Sequence, residues 1–99
     1  MDAVDFHTSF NPRGDGYQSP AGSSSGSAAV VVVYDWLDCA IATDTSSSGR
    51  RQAMVNGIWQ FCPSHDLVSL RGLIKTYDMS NTPCIFAREL PILKRVAET

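Results

Sequence analysis

Two serine-rich segments, separated by a short apolar stretch, constrain the fold of this chain more than any other feature. The first covers residues 20–29 and the second covers residues 43–50. Serine and glycine favour turns, whereas the apolar residues between the two segments favour regular structure. The pattern therefore predicts two loops joined by one short helix-and-strand unit.

The apolar run at residues 28–36 is ambiguous from local sequence. Its four consecutive valines favour a strand by propensity. The Ser-Ser-Gly-Ser sequence just before it is also a helix-start signal. Local sequence alone leans towards a strand.

Elsewhere the pattern alternates between strand and helix signals. Strands are predicted at residues 39–43 (buried within a sheet), 58–62 and 67–70, and a helix at residues 50–56 that Gly57 closes. Apolar residues at helical spacing around Pro91 predict a terminal helix over residues 90–98. Strands interleaved with helices indicate an α/β fold, in which helices cover a sheet. Trp36 and Trp59 are expected in its core.

Size and composition limit the classes of function. The chain has 99 residues, of which 43% are hydrophobic and 18% charged, with a formal net charge of −2. This is the composition of one small globular domain, and neither nucleic acid nor a membrane is an expected partner. Residues 1–5 lack a basic start and an apolar core, so no secretory signal is predicted and a cytoplasmic location is expected. The oligomeric state is left open.

The three cysteines, Cys39, Cys62 and Cys84, lack the paired spacing of metal or redox sites. They are expected to be buried free thiols, and neither a metal nor another cofactor is predicted. A Cys62 nucleophile assisted by His65 is a minor alternative.

A serine hydroxyl cleaves amides only when a base takes its proton and donors stabilise the oxyanion. The chain has two histidines, His7 and His65, and neither lies near a Gly-x-Ser-x-Gly elbow. A hydrolase of the histidine-triad type is therefore not expected.

The two serine-rich segments resemble the two serine loops of the amidase signature family. Residues 22–29 read Gly-Ser-Ser-Ser-Gly-Ser-Ala-Ala, similar to the family's Gly-Ser-Ser-Gly-Gly-Ser-Ala-Ala. Residues 43–48 read Thr-Asp-Thr-Ser-Ser-Ser, similar to Thr-Asp-Thr-Gly-Gly-Ser. The resemblance covers residues 10–98 and looks nearest to fungal amidase-domain proteins. It implies a piece of a mixed β-sheet flanked by helices, with a helix rather than a strand after the first loop.

The resemblance also implies roles for the loop residues. Ser48 would be the nucleophile and Ser23, on a cis peptide, would relay protons. The oxyanion hole would consist of the backbone N–H groups of Thr45, Ser46 and Ser47. Ser23 and Ser48 are 25 positions apart, one more than in most family members. That difference suggests a single-residue insertion near residues 34–38; an earlier gap would move the bridging role to Ser24.

Two further residues have supporting roles in this interpretation. Asp44 is expected to cap the backbone N–H groups of its loop rather than to act in catalysis. Arg50 is expected to pair with a carboxylate or to shape the pocket.

Three departures from the family pattern affect the predicted activity. Two loop glycines are replaced by Ser46 and Ser47, and a proline by Gln52. The family's catalytic lysine lies upstream of the first serine loop, and neither Lys75 nor Lys94 matches it. The expected organisation is therefore a mostly loop segment at residues 1–27 and a partial, incomplete amidase signature domain at residues 28–99.

The expected function is hydrolysis of the C–N bond of a small-molecule amide by a Ser-Ser-Lys mechanism, inactive in this chain alone. The alternative is a non-catalytic relic, or a module that binds a carboxylate or a protein. Taken separately, the first segment could be a flexible linker and the second an anion-binding nest beside Arg50 or Arg51.

Overall fold

The computed structural model describes residues 7, 9–77 and 79–99. In chain order the elements are α1 (Ser25–Val33), β1 (Cys39–Asp44), α2 (Arg50–Asn56), β2 (Trp59–Phe61), β3 (Thr82–Ala87) and α3 (Leu90–Ala97). Part of the predicted N-terminal loop, including residues 1–5, lies outside the described residues.

The three strands form one antiparallel sheet in the order β1-β3-β2. Ile41 of β1 pairs with Ile85 of β3, and Phe61 of β2 pairs with the same residue from the other side. Helices α1 and α2 contact each other and the sheet, and α3 contacts β2 and β3. The predicted α/β fold class is confirmed.

The run of valines forms a helix, as the family resemblance implies and as strand propensity does not. Ala28 and Val31 are fully buried and join Phe86 of β3 in the hydrophobic core. Burial of these side chains outweighs the weak strand preference of valine. The helix covers Ser25–Val33 rather than residues 28–36, because Tyr34 adopts an extended backbone.

The central strand, β3, is absent from the sequence-based prediction. Its second residue is Pro83, and a proline within a run argues against a central strand because it has no N–H to donate. In the structure, β2 pairs only with residues 85–87 of β3. Pro83 therefore lies beyond the end of β2, where its missing N–H costs no hydrogen bond of that ladder.

The strand predicted at residues 67–70 is wrong. This segment forms turns and bends, and the hydroxyl of Ser69 accepts a hydrogen bond from the Arg71 N–H at 3.3 Å. Leu67 is 73% exposed, so no packing opposes the loop conformation. Four apolar-rich residues form a strand only where a partner strand is available.

The prediction that both tryptophans lie in the core is also wrong. Trp36 is 76% exposed and Trp59 is 51% exposed. Strand β1 is likewise an edge strand in the described structure, with Ile41 79% exposed, rather than buried within the sheet. Residue type indicated the apolar surface correctly but not which part of it is covered.

The two helices with clear end signals lie close to their predicted positions. Helix α2 ends at Gly57, whose φ of 64° is a left-handed conformation that glycine adopts readily. Helix α3 has Pro91 in its first turn and ends one residue before the predicted limit. None of the helices in the described ranges is long and apolar enough to cross a membrane.

Candidate active site

The two serine loops meet at Ser23 and Ser48. The Ser23 hydroxyl lies 3.5 Å from the Ser48 Oγ and its backbone N–H lies 3.4 Å from the same atom, in donor geometry. The peptide bond between Gly22 and Ser23 is cis. Two hydroxyls that are 25 positions apart in the sequence are therefore neighbours in the fold.

Two other serines of the first loop attach α1 to the outer edge of β1. The Ser24 hydroxyl donates to the Thr43 carbonyl at 3.0 Å and accepts from the Thr43 N–H at 3.4 Å. The Ser27 hydroxyl donates to the Ile41 carbonyl at 3.0 Å. Strand β1 leads directly into the second loop, so this attachment brings the loops together. Ser24 thus contacts β1, and Ser23 is the residue that lies beside Ser48.

Helix α2 holds the first loop from the other side through Asn56, a residue that sequence reasoning passed over. Its side-chain amide is fully buried and donates to the Pro20 carbonyl at 3.2 Å and to the Gln52 carbonyl at 2.9 Å. Asn56 directly precedes Gly57, which drew attention only as a helix end. A polar residue on the inward face of a short helix was the available signal.

The Asp44 carboxylate organises the second loop. It accepts hydrogen bonds from the Ser47 N–H at 2.7 Å and from the Arg50 N–H at 3.1 Å, and pairs with the Arg50 guanidinium at 3.1 Å. Asp44 is only 4% exposed. Burial by itself would raise the pKa of Asp44, but the hydrogen bonds outweigh it and hold the pKa below the ordinary 3.8. The expected capping role of Asp44 and the pairing of Arg50 are both observed.

The candidate oxyanion donors differ in their availability. The Ser47 N–H is already bonded to Asp44. In the described part of the chain, no hydrogen bond engages the N–H of Thr45 or Ser46. The Thr45 hydroxyl is fixed by a 2.7 Å hydrogen bond to the side-chain oxygen of Asn81. Thr45 and Ser46 are therefore the two of the three predicted residues that retain a backbone donor for a ligand.

Ser47 stands where the family has a glycine, and its backbone shows why glycine suits this position. Its φ of 109° lies in the region that residues with a side chain rarely adopt. We expect Ser47→Gly to raise the free energy of unfolding by about 1 kcal/mol, since the relieved strain exceeds the entropy that glycine adds to the unfolded chain. Chemical denaturation would measure the change.

Ser46→Gly is the matched control, because Ser46 occupies the neighbouring glycine position without a positive φ. This variant should lose about 0.5–1 kcal/mol. Equal destabilisation by both substitutions would show that Ser47 is not strained.

Gly49 follows Ser48 at a point of close approach. A Cβ on Gly49 would lie 2.6 Å from the Gln60 side-chain nitrogen and 2.7 Å from the Cys84 sulfur. Strands β2 and β3 thus support the second loop from below through these two side chains. The space admits only glycine without displacement of a neighbour.

The cysteines do not form an activated nucleophile or a metal site. Burial raises the pKa of Cys62, which is the opposite of the shift that activates a thiol. The cysteines are unpaired; Cys84 is buried as predicted, whereas Cys62 is exposed and Cys39 intermediate, which corrects that expectation. Among the described residues, no group of three histidine, cysteine or acidic side chains could hold a metal ion.

Comparison with known proteins agrees with this geometry. Residues 4–96 match the sequence pattern of the family described as Amidase. The chain belongs to the amidase family. It is 41% identical to "Amidase 1" of Oryza sativa subsp. japonica over 94% of the chain and 21% of that protein. It is 47% identical to "Amidase 1" of Arabidopsis thaliana over 78% of the chain and 18% of the relative.

A more distant relative is named for a different role. It belongs to the mitochondrial glutamyl-tRNA(Gln) amidotransferase of Eremothecium gossypii, and the chain is 33% identical to it over 94% of the chain and 20% of that protein. This amidase-family chain thus spans about a fifth of the length of such relatives. No solved structure gives a significant match.

Neither lysine of this amidase-family chain has the environment of a buried base. The Lys94 ammonium is 74% exposed and lies 3.8 Å from the Glu98 carboxylate. Lys75 is exposed, in the loop that precedes β3. A lysine that accepts a proton at neutral pH must be desolvated, and neither position provides that.

Proposed function

We propose that this chain carries the nucleophilic part of an amide C–N hydrolase site, with Ser48 as nucleophile and Ser23 as its proton relay. The observation that supports it is the 3.5 Å approach of the two hydroxyl oxygens. No histidine is required in such an arrangement, because the second hydroxyl passes the proton on.

In the proposed reaction, the Ser48 oxygen attacks the amide carbonyl carbon while its proton passes to Ser23. The backbone N–H groups of Thr45 and Ser46 stabilise the resulting oxyanion. Collapse of the intermediate breaks the C–N bond, and the amine leaves with the proton returned through Ser23. Water then cleaves the acyl-serine ester and restores Ser48.

Asp44 and Arg50 support this site without contacting the reacting atoms. Asp44 fixes the loop that presents Ser48, and Arg50 completes the cap on Asp44. Ser24 has a similar supporting role, because it attaches the first loop to β1. Loss of any of the three should disturb the geometry rather than the chemistry.

Complete hydrolysis needs a general base beyond the two serines. Because neither Lys75 nor Lys94 is suited to that role, we propose that the 99-residue chain alone does not turn over a small-molecule amide. The nearness to fungal amidase-domain proteins and the cytoplasmic location belong to the same proposal.

Labelling with a fluorophosphonate tests whether Ser48 is nucleophilic. We expect slow covalent labelling at Ser48, none in Ser48→Ala, and labelling at least about 100-fold slower in Ser23→Ala, because a proton relay contributes about 10²–10⁴-fold. Peptide mass spectrometry would locate the adduct. Ser64→Ala, a change at an exposed serine on a different loop, should leave the rate unchanged.

Absence of label from a folded chain would contradict the nucleophile assignment and favour the non-catalytic binding alternative. Amide turnover by the purified chain, lost in Ser48→Ala, would instead refute the proposal that the chain is inactive alone.

A further inference from the structure

Cys62 and Cys84 lie opposite each other on neighbouring strands. The β2–β3 ladder pairs Phe61 with Ile85. The same antiparallel register, continued by one residue, places Cys62 opposite Cys84. Burial raises the pKa of Cys84 to about 11, with a smaller contribution from a charged Cys62, so the two thiols are within electrostatic reach.

The hydrogen-bond pattern of the sheet tells which kind of pair this is. The Ile41 and Thr43 carbonyls accept from serines of α1, so they point away from β3. Their partner Ile85 therefore directs its own backbone hydrogen bonds towards Phe61. The next pair, Cys62 with Cys84, is a non-hydrogen-bonded one. Such pairs have a Cα separation of about 4.5 Å, within the range of about 4.4–6.8 Å that a disulfide spans.

We propose that Cys62 and Cys84 form a site of oxidative modification, in which a peroxide joins them in a cross-strand disulfide. The exposed Cys62 thiolate attacks the peroxide; an S–O bond forms, the O–O bond breaks, and water or an alcohol leaves. The Cys84 thiol, as its thiolate, then attacks the sulfur of the Cys62 sulfenic acid. The S–S bond forms, the S–O bond breaks and water leaves. The two thiols lose two electrons in total and the peroxide gains two.

The proposed bond couples to the second serine loop through Gly49. The Cys84 sulfur lies only 2.7 Å from the position of a Cβ on Gly49, so it supports the residue directly after Ser48. Bonding to Cys62 redirects that sulfur towards β2 and removes this support. We expect greater mobility of the loop at residues 46–50 in the oxidised chain, whether or not the loop has a catalytic role.

The test uses the full chain carrying Cys39→Ser, which leaves only the two cysteines of interest. After treatment with hydrogen peroxide, trypsin cleaves at Arg51, Arg71, Lys75 and Arg88, so the cysteines fall on separate peptides, residues 52–71 and 76–88. We expect these two peptides to be joined, in a monomeric protein, and to separate on reduction with dithiothreitol. Hydrogen exchange of the amides at residues 46–50 should become several-fold faster. Addition of Cys62→Ser is the matched control and should abolish both effects.

Two results would overturn the proposal. One is oxidation of Cys62 to sulfinic acid with no linked peptide. The other is a link found only between separate molecules. Unchanged exchange at residues 46–50 in fully linked protein would refute the coupling to the serine loop.

Discussion

The Asp44→Asn variant is expected to unfold about 10–20 °C below the wild-type chain, which corresponds to a loss of about 2–3 kcal/mol for a domain of this size. The carboxylate is 4% exposed and accepts the N–H groups of Ser47 and Arg50. An amide offers one oxygen in place of two, so one of these N–H groups is left facing an NH2 donor. Thermal unfolding followed by circular dichroism would measure the shift. Most of the loss comes from the backbone contacts, since the Arg50 side chain is 66% exposed and its pairing is screened by solvent.

Asp35→Asn provides the matched control for this substitution. Asp35 also pairs with an arginine, Arg88, at 3.2 Å, but its side chain is fully exposed. Its replacement should change stability by less than about 0.5 kcal/mol. Equal shifts in the two variants would show that the Asp44 carboxylate does not organise the loop.

The same variant has a predicted pH signature. The folded pKa of Asp44 lies below 3.8, so its contribution is fully present above that pH and is lost as the pH falls through the lower folded value. The stability difference between wild type and Asp44→Asn should therefore be constant near neutral pH and narrow below pH 3.8. A difference that stays constant into strong acid would contradict the assigned hydrogen bonds.

Gly49→Ala should be similarly damaging, with an expected loss of about 3 kcal/mol from overpacking. The added Cβ would lie 2.6 Å from the Gln60 nitrogen and 2.7 Å from the Cys84 sulfur, and the Cys84 sulfur is buried beneath the loop. The φ of Gly49 is −95°, which alanine adopts readily, so the predicted loss is steric rather than conformational. Chemical denaturation would measure it.

Gly26→Ala separates this steric effect from the general effect of replacing glycine. Gly26 lies in α1, and a Cβ there would meet nothing within 4 Å. We expect a gain of about 0.5–1 kcal/mol from reduced entropy of the unfolded chain and better helix propensity. A loss at Gly26 comparable to that at Gly49 would refute the close packing beneath the serine loop.

Features with local signals could be predicted from the sequence. Helix α2 and its end at Gly57 follow from one apolar pattern and one glycine, and α3 follows from Pro91 and helical spacing. The loop role of Asp44 was also predictable, because an aspartate beside serines caps nearby N–H groups.

Features that depend on distant partners could not be predicted. Strand β3 contains Pro83, which is compatible with a central strand only because β2 ends before reaching it. The exposure of Trp36 and Trp59 depends on which surfaces are covered, not on residue type. The attachment of Ser24 and Ser27 to the β1 edge requires the register between α1 and β1, which a serine-rich sequence does not encode locally.

The most direct test of the proposed site is a crystal structure of the chain that resolves both serine loops. We expect the Ser23 and Ser48 hydroxyl oxygens at about hydrogen-bonding distance, near the 3.5 Å that separates them in the fold described above. Well-ordered loops in which these oxygens lie too far apart to share a proton would contradict the assignment of a paired-serine nucleophile to this chain.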